Sequence, residues 1–119
     1  AGPFEIVVCV QSAEDTATLQ LLDQLEQKYP KVPLRRYTGT ASTGVAAAIP
    51  NPKVANMYQG FTEAAYDLVW IADSGIETVP GALTTLVAEH ADAGPDVSVV
   101  HQLPVLASVE TAADVVEQM

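Results

Sequence analysis

Two carboxylates, one amine and one imidazole stand where this chain could do chemistry: Asp15, Asp73, Lys53 and His101. Asp73 closes the apolar run Leu68-Val69-Trp70-Ile71-Ala72 and is followed by Ser74-Gly75. Acids are excluded from strands buried on both faces, so a lone Asp where such a strand ends belongs at a cleft. In open α/β sheets ligands bind outside the carboxyl ends of the strands. Asp73 is therefore a candidate ligand for a divalent cation carrying a phosphate, against the plainer alternative of a polar cap on a turn. Asp15 lies just past the first apolar run, where an acid either favours a helix N-terminus through the dipole or meets a base or ribose. Asn51-Pro52 is a helix-start pair that capping alone explains, but the same terminus attracts anions, and Lys53 there could meet a diphosphate. His101 ends a further apolar run and is either satisfied locally or faces a ligand. Cys9 and Trp70 read as packing residues. His90 and His101 do not have a metal-ligand spacing.

The elements that would position these groups alternate. Residues 4–10 predict a strand, 12–28 a helix with Ser12 and Asp15 as a near capping box, and 32–37 a second strand. Small and polar residues from 38 to 50 predict a loop. A helix follows from Pro52 to about residue 65, then a strand over 66–72. A helix from Pro80 to about residue 91, a Gly94-Pro95 turn and a strand over 96–101 complete the order, and the tail from Val109 has weak helical character. This βαβαβαβ order predicts an α/β fold: three layers, with a mostly parallel four-stranded sheet and helices on both faces.

Composition bounds the partners. With 119 residues the chain suits a single domain, 1–119, and nearly half of it is apolar. Its apolar runs are far shorter than a bilayer requires, and no signal peptide is visible. A net charge of -10 disfavours nucleic acid and anionic lipid as partners, and any phosphate ligand would need a metal or a local cation to offset that field.

Taken in order, Val8-Cys9-Val10-Gln11 with Asp15, Tyr29-Pro30, Asn51-Pro52-Lys53 with Asn56, Tyr66 to Ile76, Pro80 with Leu83 and Val87, and Val100-His101 with Leu103-Pro104 resemble the ceramide glucosyltransferases. These are inverting membrane enzymes that move glucose from UDP-glucose to ceramide. The resemblance runs from about Phe4 to Pro104 and is most specific between Tyr66 and Ile76. It implies a partial GT-A, Rossmann-like glycosyltransferase core, the N-terminal nucleotide-sugar-binding part of a longer enzyme. It places Asp15 near the uridine, Lys53 near the nucleotide, His101 near the donor or acceptor pocket, and Asp73 where related enzymes keep a DxD metal motif. Mg²⁺ or Mn²⁺, a UDP-sugar donor and a lipid acceptor for the full-length parent follow from it, as does a membrane-bound parent with a cytosolic catalytic domain, this stretch itself being soluble.

The departures are specific. Asp73-Ser74-Gly75 holds one carboxylate, residues 45–50 look like an insertion, and Ala55 stands where Asn is common. No match to the family's general-base aspartate or to its Q/RxxRW motif is present, so the isolated chain is expected to lack transferase activity. A strand that the family places between residues 4–10 and 66–72 is also unmatched. Those two strands are expected to pair directly or to leave edges through which copies associate. Two other classes remain open: a non-catalytic α/β binding or interaction module, and a receiver-like phosphoacceptor domain, which would lack its acidic pair and lysine.

Overall fold

The structure, a computed structural model, describes residues 3–103. The chain divides into two compact units, Gly2–Trp70 and the residues from Ile71 onward.

The first unit begins with an apolar, β-branched strand, β1 (Ile6–Val10), followed by α1 (Thr16–Lys28) and β2 (Leu34–Thr38). The strands pair in parallel, from Ile6 opposite Leu34 to Val10 opposite Thr38. Two 3₁₀ turns, Thr40–Ser42 and Ala46–Ala48, lead into α2 (Pro52–Thr62). Side chains alternate across a strand, and that alternation assigns the helices to faces. Arg36 donates to Asp23 (2.6 Å) and Glu26 (2.9 Å) of α1. Its neighbours Arg35 and Tyr37 instead bond Glu63, at the end of α2. The two helices therefore cover opposite faces of the sheet, a three-layer α/β arrangement on two strands. Val10, Leu22, Ala46 and Ala55 are the buried apolar residues among those described.

Helix α2 approaches β1 closely because residue 60 has no side chain. A Cβ built at Gly60 would lie 2.7 Å from Cys9 Sγ and 2.9 Å from Val7 Cγ1. Near the start of α2, Asn56 Nδ2 donates to Cys9 O at 2.9 Å. Past its end, Arg35 pairs with Glu5 (3.1 Å), and Glu5 accepts the Ala65 N–H (2.6 Å). The helix thus runs antiparallel to the strands, with its N-terminus at their carboxyl end.

The helix starts follow from their caps. Asn51 Oδ1 accepts from Lys53 N (3.0 Å) and Val54 N (3.3 Å), with Pro52 in the first turn. Replacing Asn51 with Ala should cost about 1 kcal/mol, read as a lower urea midpoint with an unchanged slope. Helix α1 starts later than predicted. Ser12 and Asp15 close a turn (Asp15 N to Ser12 O, 3.2 Å), and Asp15, rather than Ser12, caps the helix. In the second unit α3 (Ala82–Asp92) follows Gly81, whose φ of 87° suits glycine. Gly94, at φ 91°, makes the predicted turn.

The predicted four-stranded sheet is corrected to two strands among the described residues. Residues 67–72 form no strand, and Leu68, Val69, Trp70 and Ile71 are 40–53% exposed. Residues 96–101 likewise form none. An apolar run becomes a strand only when a neighbour takes up its N–H and C=O groups. No described strand pairs with either run, and the direct pairing expected between residues 4–10 and 66–72 does not form. The tail from Val109, and Pro104, lie outside the described residues.

Candidate functional site

The carboxyl end of β1 and β2 gathers the polar groups of the first unit. Leaving β1, the chain turns through Gln11–Glu14 to Asp15. Leaving β2, it passes Gly39, whose N–H donates to Val10 O at 3.0 Å, and enters the 3₁₀ turn at Thr40. Opposite stands the N-terminus of α2 with Asn51 and Lys53. Asp15 and Lys53 thus share one end of one sheet. Asp73 and His101 belong to the second unit. Asp73 is exposed in a turn, its carbonyl accepting from Ile76 N at 3.1 Å. His101 is exposed and does not end a strand.

Asp15 has a structural role whatever else it does. Its carboxylate accepts from Thr18 Oγ1 (2.7 Å) and Thr18 N (3.1 Å). The Thr18 hydroxyl first, then its N–H, hold the carboxyl below its usual range. The sign follows: the unfolded chain takes up the proton at the higher pH, so the stabilisation is complete above the ordinary carboxylate pKa of about 4 and fades as pH falls through the depressed folded value. The stability difference between the unchanged chain and Asp15→Ala should be constant near neutrality and shrink in acid, as followed by denaturant titration at several pH values. A difference independent of pH would contradict this role.

On balance, the setting of Cys9 does not favour its thiolate. Burial pushes its thiol up, with a smaller opposing effect from the Gly60 N–H. A second set of charges, at the amino end of the sheet, is structural. Glu63, bonded by Gln59 Nε2 (2.9 Å) and Tyr37 Oη (2.8 Å), is held below the usual carboxylate range, by Gln59 more than by Tyr37. Together with Glu5 and Arg35 it ties both strands to the end of α2. Sequence reading missed this set because the bonds that join the strands to the end of α2 link residues 26 to 60 apart.

Two open grooves of about 370 and 310 Å³ also lie at the amino end, the larger along Pro30, Val32 and Pro33, the smaller along Ile6, Leu25 and Tyr29. The smaller is almost wholly apolar, and neither gathers the convergent polar groups that a phosphate or nucleoside requires. The polar carboxyl end is the better candidate.

A divalent cation would find one carboxylate at Asp73. No group of three or more His, Cys, Asp or Glu able to hold a metal occurs among the described residues. That donor set fits Mg²⁺ or Mn²⁺ only as a shared ion, with a diphosphate and waters completing the oxygen shell, which is the usual manner of Mg²⁺ on phosphate substrates. Among the described residues, no helix is long and apolar enough to cross a membrane.

The profile of glycosyl transferase family 21 matches residues 2–119. A ceramide glucosyltransferase of Komagataella phaffii is 37% identical over 71% of this chain and 16% of its own length. Ceramide glucosyltransferase 3 of Caenorhabditis elegans is 34% identical over 61% of the chain and 15% of its length. A ceramide glucosyltransferase of Candida albicans is 32% identical over 61% of the chain and 14% of its length. The chain thus spans about a sixth of the length of these relatives. No solved structure matches it.

Proposed function

The chain belongs to glycosyl transferase family 21, and from that premise we propose that it carries part of a nucleotide-sugar donor site, with UDP-glucose as donor and a lipid acceptor in the longer enzyme. The observation that carries this reading is the meeting of the Asp15 turn and the Asn51-capped, Lys53-bearing N-terminus of α2 at the carboxyl end of the parallel strands. A helix N-terminus favours an anion, and a lysine in its first turn adds the positive charge that a chain of net charge -10 must supply locally. Lys53 meets the diphosphate and Asp15 the nucleoside; the role proposed for His101, on the sugar or acceptor side, is carried from the family resemblance alone. Asp73 would be the carboxylate ligand of a divalent cation, a role carried from the family resemblance. The ion would neutralise the diphosphate leaving group as a Lewis acid.

This is a donor-binding segment and has no assigned acceptor base, so the isolated chain is expected to bind without transferring sugar. Calorimetry with UDP and UDP-glucose, each with and without Mn²⁺, tests it. Heat that saturates with UDP and increases in affinity with Mn²⁺ is expected. No heat under any condition would overturn the proposal and leave a non-catalytic α/β module.

A further inference from the structure

Two buried polar atoms at the carboxyl end of β1 have no hydrogen-bond partner: Asn56 Oδ1 and Thr40 Oγ1. They stand on elements that pack together, α2 and the first 3₁₀ turn. Each is fixed beside the last residues of β1. Asn56 Nδ2 donates to Cys9 O (2.9 Å), and Gly39, directly before Thr40, donates to Val10 O (3.0 Å). The first of these bonds also settles the amide orientation, because a flipped Asn56 would set oxygen against the Cys9 carbonyl. Its Oδ1 is therefore an acceptor awaiting an N–H or O–H.

Burying a polar atom unpaired costs free energy that a methyl group in its place would not. A fold that needed only packing would be better served by Val at position 40 than by Thr. We infer that Thr40 and Asn56 are specificity residues of the donor site, and that their orphaned oxygens receive hydrogen-bonding groups of the nucleoside. The inference rests on the donor-site reading above and goes further by naming the residues that read the nucleoside. Both atoms are sealed from solvent, so the ligand reaches them when the 3₁₀ turn moves aside. Gly39 and Gly44, at φ 68° and 53°, bracket that turn in left-handed backbone that glycine adopts without strain.

The nucleoside offers two sources of donors. Uracil carries an imide N–H where cytosine has a bare acceptor nitrogen, whereas ribose hydroxyls are common to both. Titrations of the unchanged chain and of Thr40→Val with UDP and with CDP, beside thermal denaturation of each without ligand, separate them. Thr40→Val nearly preserves side-chain shape, so its unliganded melting temperature should be equal or higher while its UDP affinity falls roughly three- to tenfold. A loss confined to UDP assigns the base edge, and an equal loss for UDP and CDP assigns the ribose; either supports the inference. Asn56→Ala should weaken UDP as well, but it also breaks the bond to Cys9, so Thr40→Val is the deciding variant. Unchanged UDP affinity in Thr40→Val would overturn the inference, leaving only an internal water at these atoms, with the donor site intact. Absence of UDP binding by the unchanged chain would remove both.

Discussion

Gly60→Ala should lower the stability of the chain by about 1–3 kcal/mol, the cost of forcing a methyl group into a filled core. On helix propensity alone the change would stabilise α2 by up to about 1 kcal/mol. Packing wins because the new carbon would sit 2.7 Å from Cys9 Sγ and 2.9 Å from Val7 Cγ1. Neither neighbour can yield cheaply: Val7 is β-branched and rotamer-limited, and both lie on β1. Relief requires α2 to lift, which would stretch the Asn56–Cys9 bond and shift the Lys53 turn. UDP affinity should therefore fall with stability. Gly75→Ala is the control, since a Cβ there meets nothing within 4 Å. Equal denaturation midpoints for the two variants would show that α2 does not depend on this close approach.

Asp73→Asn should abolish the Mn²⁺-dependent part of UDP binding and leave the metal-independent part in place. The amide retains an oxygen but loses the charge that a hard cation selects. Loss of a charge-assisted contact corresponds to roughly ten- to hundredfold in the metal-dependent affinity. Lys53→Ala should do the reverse, weakening UDP with or without Mn²⁺, because the contact proposed for its ammonium is with the diphosphate itself. If Asp73→Asn kept the full Mn²⁺ enhancement, the ion would be held elsewhere.

The local signals in the sequence translated well where local chemistry decides the structure. Asn51-Pro52 gave the start of α2 because an N-cap and a first-turn proline act within one turn. The short run of apolar, β-branched residues gave β1, and Gly94 gave its turn. Asp15 was legible as a first-turn acid, but its capping of α1 through Thr18 depended on Ser12 and Asp15 closing a turn of their own. The strands predicted over 66–72 and 96–101 failed for a non-local reason. Apolar, β-branched composition reports that a segment could be buried in a sheet, not that a partner edge lies beside it. Trp70 at 40% exposure shows the difference. The Glu5–Arg35–Glu63–Tyr37 set and the orphaned oxygens of Thr40 and Asn56 were illegible for the same reason, since each exists only after α2 has packed on the strands. Membership of the family was the most legible feature of all. It was carried by the order of short motifs along the chain rather than by any single one.

Donor binding at the carboxyl end of the parallel strands is the claim that every ligand prediction above depends on. The most direct measurement is a backbone-amide NMR titration of the ¹⁵N-labelled chain with UDP. Resonances of residues 10–15, 38–43 and 51–56 should shift together and saturate with one dissociation constant, while those of Ile6, Leu25, Tyr29 and Val32 at the amino-end groove stay in place. Shifts confined to the amino-end groove, or none at saturating UDP, would contradict it.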